Sequence, residues 1–362
     1  MQIGIVGLPN STKTTLYNAL TRSQAETSSF SSGQVEINTA IVPVPDARVE
    51  RLSAMFHPRK TTNARIQYND IAGLRAGLGQ EGGLSAALLN AIAQNDALLH
   101  AVRAFEDDRI PHPTGSVDPR RDLEALDFEF LFSDLQIAER RMERLARDLS
   151  RKAVATGYQS QREEFDLLQR LKENLEQGIP VRDLALTSGE ERMLRGYQFL
   201  TAKPMLVVLN VGDAGSVNPA DYVAYRHRRT AVLCLRGGLE MEIAQLGTEE
   251  AALFLQEYGI EEPGLHRMIR QSYDLLDLQS FFTVGEDEVR AWTVAVGATA
   301  VEAAGVIHSD LSRGFIRAEK VGYDDLIAAG SLAEARKQGL LRLEGRDYVV
   351  QDGDILSILF NV

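Results

Sequence analysis

Short apolar runs alternate with helical patterns through the first part of the chain. Gln2 to Gly7 reads QIGIVG, a β-rich run that leads into turn residues, and Leu16, Ala19 and Leu20 then recur at helical spacing. Further strands are predicted near Thr39 to Val44, Ala64 to Tyr68 (ending at Asn69-Asp70), Ala97 to Val102, Pro204 to Leu209 and Arg229 to Leu235. Strands that alternate with helices predict an α/β fold with a mostly parallel sheet.

Between Ser133 and Gln177 the rhythm changes. Leu135, Ala138, Met142, Leu145 and Leu149 step by three and four. After a polar break around Gly157, the residues Phe165, Leu168, Leu171 and Leu175 form a second stripe. Two facing stripes predict an antiparallel helical hairpin inserted into the α/β domain. The first helix carries Arg140, Arg141, Arg144, Arg147, Arg151 and Lys152, which outnumber Glu139, Glu143 and Asp148. That face reads either as a solvated surface or as a contact for RNA or a partner. From about Gln279 short strands and glycine turns dominate, and Gln351-Asp352-Gly353-Asp354 is a turn before the strand Ile355 to Phe360. The expected organisation is a nucleotide-binding domain from 1–132 and 198–278, a helical arm at 133–197 and a small α+β domain at 279–362.

Composition narrows the function classes. The 362 residues are 44% hydrophobic and 25% charged, ordinary for a folded protein of two or three domains. No apolar run approaches the roughly 18 residues that span a bilayer, and the N-terminus lacks a leader pattern. Cys234 is the single cysteine, so no internal disulfide forms and a reducing cytoplasm is the expected compartment. A net charge of −12 argues against nonspecific nucleic-acid binding by the whole surface and implies no DNA specificity, while leaving room for a local basic face. The six histidines show no metal-ligand spacing. His308, beside Val306 and Ile307, and Trp292 read as parts of a β-rich core.

The candidate chemistry is phosphate binding. Gly7 to Thr15 (GLPNSTKTT) nearly fits G-x-x-x-x-G-K-[ST], in a strand–loop–helix setting. In such a loop the backbone N–H groups of Asn10 to Thr15 face phosphates, Lys13 neutralises the β- and γ-phosphates, and the Thr14 hydroxyl binds Mg²⁺. Thr12 stands where the pattern has glycine. Asp70-Ile-Ala-Gly73 is a D-x-x-G at a strand end, where Asp70 holds Mg²⁺ through water and the Gly73 N–H meets the γ-phosphate. Asn210-Val211-Gly-Asp213 follows an apolar strand, in the place of the N-x-x-D that reads a base. A carboxylate there accepts from guanine, and Val211 replaces the usual lysine.

With these elements in order the chain resembles the YchF family, Obg-like ATPases among the translation-factor-related P-loop proteins. The resemblance spans nearly the whole length. It rests on Gly4 to Asn10 (GIVGLPN), Val42 to Asp46 (VPVPD), Asp70 to Leu74 (DIAGL) and Thr201 to Pro204 (TAKP). It rests most on the C-terminal runs Phe281 to Glu286, Arg290 to Thr293, Ala304 to Asp310, Gly314 to Glu319 and Val349 to Asp354. It implies a P-loop G domain interrupted by a coiled-coil-like arm and closed by a ubiquitin-like TGS domain. It further implies a cytoplasmic, ribosome-binding protein that hydrolyses nucleotide with Mg²⁺ and prefers ATP to GTP. The family's base motif is N-x-x-E, so Asp213 is one methylene short and ATP and GTP both stay open.

Other departures gather at the γ-phosphate. Leu74 follows the D-x-x-G where many GTPases carry glutamine, as it does in the family. Gln34 falls where the first switch has a Mg²⁺-reaching threonine, Thr27 to Gly33 is more polar than the pattern, and Gln80 to Leu84 keeps glycines in another order. Two functions compete: a ribosome-associated ATPase or GTPase, and a ribosome- or RNA-binding module with impaired catalysis that acts through the arm and the TGS domain.

Overall fold

The computed structural model describes residues 1–22, 26–32, 35–71, 84–151, 158–258 and 260–361, with side chains except at 22, 26–32, 151 and 248. Gln34, Gly73, Leu74, 80–83, Lys152 and Gly157 therefore lie outside the described residues. The strands are β1 (Gln2–Val6), β2 (Glu26–Ser32), β3 (Val35–Pro43), β4 (Lys60–Thr62), β5 (Arg65–Ile71), β6 (Ala97–Arg103), β7 (Met205–Asn210), β8 (Thr230–Leu235), β9 (Leu278–Thr283), β10 (Glu288–Ala295), β11 (Phe315–Gly322), β12 (Arg342–Glu344) and β13 (Asp354–Phe360). The helices used below are α1 (Lys13–Arg22), α2 (Ala47–Phe56), α3 (Ala86–Ala93), α4 (Pro119–Arg151), α5 (Tyr158–Glu176), α6 (Ser188–Leu194) and α7 (Gly237–Ile243). The chain forms two compact units, one of Met1–Ala40 with Gln67–Met268, the other of Ile41–Ile66 with Ile269–Val362.

The first unit is built on a seven-stranded sheet in the order β2-β3-β5-β1-β6-β7-β8. β1 pairs in parallel with β5 and β6, β6 with β7, and β7 with β8. Every residue of β6 and β7 is buried, so these strands read as near-continuous apolar runs rather than alternating ones, broken by His100 and ending on Arg103 and Asn210. The carboxyl ends of β1, β5, β6 and β7 consequently share one edge of the sheet. Ligands of open α/β sheets bind beyond that edge. The polar strand β2 (ETSSFSS) was not expected: it lies at the sheet's end, where a strand is held by backbone pairing on one side and needs no apolar run.

α4 is one continuous helix of 33 residues and begins well before Ser133. Its first turns bury Leu123, Leu126 and Phe130 in the core of the sheet domain, and its later turns bury Ala138 and Leu145 in the hairpin core. One helix serves two cores, so no boundary falls at residue 133. The hairpin core also takes Leu168, Leu171 and Leu175 from α5. Across it Arg141 donates to both carboxylate oxygens of Glu164 at 2.8 Å, and Lys172 to Glu139 at 2.7 Å. Asp134, fully buried on α4, accepts from the backbone N–H groups of Leu200 (2.9 Å) and Thr201 (2.8 Å) and from the Thr201 hydroxyl (2.7 Å). The TAKP run thus ties α4 to the entry of β7.

The second unit carries a six-stranded sheet, β12-β11-β13-β9-β10-β4. It includes the segment Ile41–Ile66, which the sequence pattern assigns to the first domain. The physical reason is pairing and packing. β4 pairs with β10 through Lys60↔Glu288 to Thr62↔Arg290, and α2, with Val49 and Leu52 buried, packs on β10. Asp46 caps α2 by accepting from the Arg48 N–H at 3.0 Å. The Arg48 guanidinium joins Asp46 (2.8 Å) to Asp352 (2.7 Å), and Asp352 also accepts from the Ser280 N–H at 3.0 Å. The VPVPD and QDGD runs are therefore one brace. Trp292 is half-buried, donates to Thr283 Oγ1 at 2.9 Å and lies under Arg290. His308 is not part of a core: its side chain is 64% exposed, and Nδ1 accepts from the Asp310 N–H at 3.2 Å to cap the next helix. Among the described residues no helix is long and apolar enough to cross a membrane.

Candidate nucleotide site

β1 ends at Val6 and α1 begins at Lys13, so the loop between them stands at the carboxyl edge of the sheet. Gly7 has φ 149°, and a Cβ there would lie 2.3 Å from the Ala101 carbonyl oxygen on β6. Only glycine lets the loop turn this close to its neighbouring strand. Asn10 (φ 59°) and Thr12 (φ 74°) are both left-handed. Asparagine tolerates that region; a β-branched threonine there is strained. Thr12 holds the backbone angle that glycine supplies in the consensus loop. Its carbonyl accepts from the Leu16 N–H at 3.0 Å, which starts the helix.

The Lys13 ammonium turns back into the loop and donates to the carbonyls of Gly7 (2.8 Å) and Leu8 (2.7 Å). Burial lowers its pKa to about 8, opposed by the attraction of Asp70. Asp70 is the next-to-last residue of β5, opposite Ile5, and it is 6% exposed. Burial raises its pKa, with Lys13 pulling it down and Glu36 pushing it up. Asp70 Oδ1, Ser11 Oγ and Thr12 Oγ1 are buried with no hydrogen-bond partner among the described residues. Orphaned buried polar atoms are costly. A carboxylate oxygen and hydroxyls beside one ammonium suit a phosphate with a hard cation such as Mg²⁺. Thr14 is exposed and Thr15 half-buried on the first turn of α1. Gly73 lies outside the described residues.

The base motif stands at the end of β7, on the same edge. Asn210 is 3% exposed, and its Oδ1 accepts from the N–H groups of Gly237 (3.0 Å) and Gly212 (3.4 Å). A Cβ at Gly237 would come within 2.6 Å of the Asn210 amide, so glycine permits this seat. Asp213 is exposed, and its carboxylate lies against the first turn of α7 at Gly238. Val211 corrects the sequence reading. Its side chain is 2% exposed within the sheet core, so it cannot lie along a base; an apolar side chain in that place turns inward.

Sequence reasoning missed the loop after β6. Arg103, 2% exposed, donates to the carbonyls of Phe105 (2.9 Å), Ile110 (2.7 Å) and Asp107 (3.2 Å), which wraps residues 104–111 around one guanidinium. That loop reaches both motifs: Asn10 donates to the Pro111 carbonyl at 3.2 Å, and Phe105 lies against Gly212. His112 and Asp122 then pair at 2.9 Å with both side chains nearly sealed from solvent. The available signal was an arginine closing a strand that is apolar apart from His100. His100, in the middle of β6 and opposite Val6, is fully buried and held neutral, its pKa lowered to about 3 by burial and then by Lys13.

Residues 2–131 match the family described as "50S ribosome-binding GTPase", and residues 278–361 match the C-terminal domain family of YchF GTPases, described as a protein of unknown function. The chain is 42% identical to "Ribosome-binding ATPase YchF" of Bacillus subtilis (strain 168), over 99% of each chain. It is 43% identical to the protein of that name in Haemophilus ducreyi and 40% identical to that in Escherichia coli O157:H7, again over 99% of each. The solved structure of the Schizosaccharomyces pombe YchF GTPase superposes with a TM-score of 0.88 at 30% identity, covering 99% of this chain and 97% of that one. Sequence identity and fold both run from end to end, and this chain belongs to the YchF family.

Proposed function

We propose that the chain is a ribosome-associated, Mg²⁺-dependent nucleotide-binding protein that takes ATP, with GTP as the competing base, and hydrolyses it slowly as a translation-linked switch. The observation that carries this reading is Lys13, whose ammonium is held within the loop by two loop carbonyls and lies in electrostatic reach of buried Asp70. Phosphate oxygens replace those carbonyls, and the unpartnered Ser11 and Thr12 hydroxyls lie in the same loop. Thr14 and Asp70 would hold Mg²⁺, which when bound neutralises charge on the β- and γ-phosphates. Asn210 holds the base loop and Asp213 faces the base. The bacterial relatives are named for ribosome binding and ATPase activity, and the Schizosaccharomyces pombe protein is called a GTPase. The ribosome is the expected partner through the arm and the C-terminal TGS domain, in the cytoplasm. Exposed Arg140, Arg144 and Arg147 support the arm as a contact, whereas Arg141 is engaged by Glu164.

A second reading, nucleotide binding with impaired hydrolysis, is favoured by one observation: the strained Thr12. Titration of purified protein with ATP and GTP in Mg²⁺, alongside phosphate release, separates the two. Binding lost in Lys13→Ala with turnover above that control supports the switch. Binding without turnover supports the second reading, and unchanged titrations in Lys13→Ala overturn both. Charge reversal at Arg140, Arg144 and Arg147 tests the arm by ribosome co-sedimentation against salt.

A further inference from the structure

A cavity of about 600 Å³ opens in the first unit at the amino-terminal edge of its sheet, where Asp96, Pro204 and Arg229 lead into β6, β7 and β8. The phosphate loop stands at the other end of these parallel strands, roughly 20 Å away for a six-residue strand. This is therefore a separate site. Its floor is apolar, with Val181, Leu194 and Phe199 buried. Its polar lining is cationic, in a chain whose net charge is −12. Arg182, Arg195, Lys203 and Arg228 line it against the carboxylates of Asp96 and Glu191.

The two exposed cations, Arg195 and Arg228, are poorly satisfied. Arg195 is exposed, and its side chain has no hydrogen bond or ion pair with another described residue. The Arg228 guanidinium donates only to the Leu184 carbonyl, at 3.2 Å, and pairs with no described carboxylate, while the Arg228 backbone N–H donates to Asp183 Oδ1 at 2.8 Å. Arg182 is 2% exposed; its Nη atoms reach the Thr201 carbonyl and the Tyr225 hydroxyl and pair with Asp127 at 3.8 Å, and its buried Nε–H has no partner among the described residues. Lys203 is held to the Asn95 carbonyl at 2.6 Å. Asp96 is already engaged by the Gln2 N–H at 2.7 Å.

We propose that this cavity docks the sugar–phosphate backbone of a single-stranded RNA segment, with Arg195 and Arg228 as phosphate ligands on its rim. Guanidinium forks suit phosphate oxygens. A concave site of this volume admits one or two nucleotides and excludes the width of a duplex. The inference rests on the ribosome-associated reading above and assigns it a surface outside the arm's basic face.

The test uses the full chain and two probes, extracted ribosomal RNA and intact ribosomes, over a salt series. The variants are Arg195→Glu, which breaks no described contact, and Arg195→Glu with Arg228→Glu. ATP titration and circular dichroism confirm that each variant is folded. The double variant is expected to bind RNA at least roughly tenfold more weakly and to lower the salt slope by about 1.4, near 0.7 for each lost phosphate contact on a single strand. The single variant should show about half that change in slope. Equal RNA affinity and slope in wild type and variants overturns the proposal and leaves ribosome association standing. Ribosome binding by wild type without RNA binding also overturns it, in favour of a protein contact. Wild type that binds neither probe overturns both readings.

Discussion

Replacing Thr12 with glycine tests the account of the phosphate loop most directly. Thr12 is held at φ 74°, a region that costs an L-residue about 1–2 kcal/mol and costs glycine nothing. Its buried hydroxyl has no partner among the described residues, and an unmet buried donor costs about 1–3 kcal/mol. Against these, glycine returns about 0.5–1 kcal/mol of freedom to the unfolded chain. The balance favours Thr12→Gly by about 1–4 kcal/mol in the nucleotide-free protein. For a body of 150–250 residues each 1 kcal/mol moves Tm by about 2–4 °C, so scanning calorimetry should show a rise of at least a few degrees. An unchanged or lower midpoint refutes the claim that threonine is strained in this loop. ATP affinity is the second readout. Greater stability with weaker binding assigns the hydroxyl to a phosphate; greater stability with tighter binding assigns it to crowding.

Three further outcomes follow from the site. The Lys13 pKa of about 8 means that the free protein loses its ammonium as pH rises through that value, so ATP affinity should be flat below pH 8 and fall about tenfold per unit above it; titrations from pH 7 to 9.5 that stay flat refute the role of Lys13. His100 is neutral in the fold with a pKa near 3 against about 6.5 unfolded. Its folded pKa is depressed, so its contribution is present above about pH 6.5 and lost as pH falls towards 3. At about 1.4 kcal/mol per unit, urea unfolding should show the wild type losing about 2–3 kcal/mol more than His100→Leu between pH 6.5 and 4.5; parallel curves refute this. Asn210→Ala strips an acceptor from the N–H groups of Gly237 and Gly212 and should cost about 1–3 kcal/mol together with base-dependent affinity, measured by unfolding and by ATP and GTP titration.

What the sequence determined by itself is local. The runs ALLHAV and PMLVVL announce buried strands because parallel strands covered on both faces read as near-continuous apolar runs, interrupted in β6 by His100. The spacing of GLPNSTKTT announces a turn from strand to helix, and the stripes at Leu145 and Leu168 announce a hairpin. The fold class and the order of the elements were legible for this reason, and motif spacing singled out Lys13, Asp70 and Asn210 as candidates. What only the tertiary structure decided depends on partners distant in sequence. Ile41–Ile66 joins the C-terminal unit because β4 finds β10 and Arg48 finds Asp352, some three hundred positions away. α4 has no break at residue 133 because its apolar stripe continues from one core into the next. Val211 occupies a base-motif position yet faces the core. Arg103, a charged residue at a strand end, turned out to organise the loop shared by the two motifs. Thr12 joins both levels: its identity was plain in the sequence, but only the backbone geometry revealed the conformation forced on it.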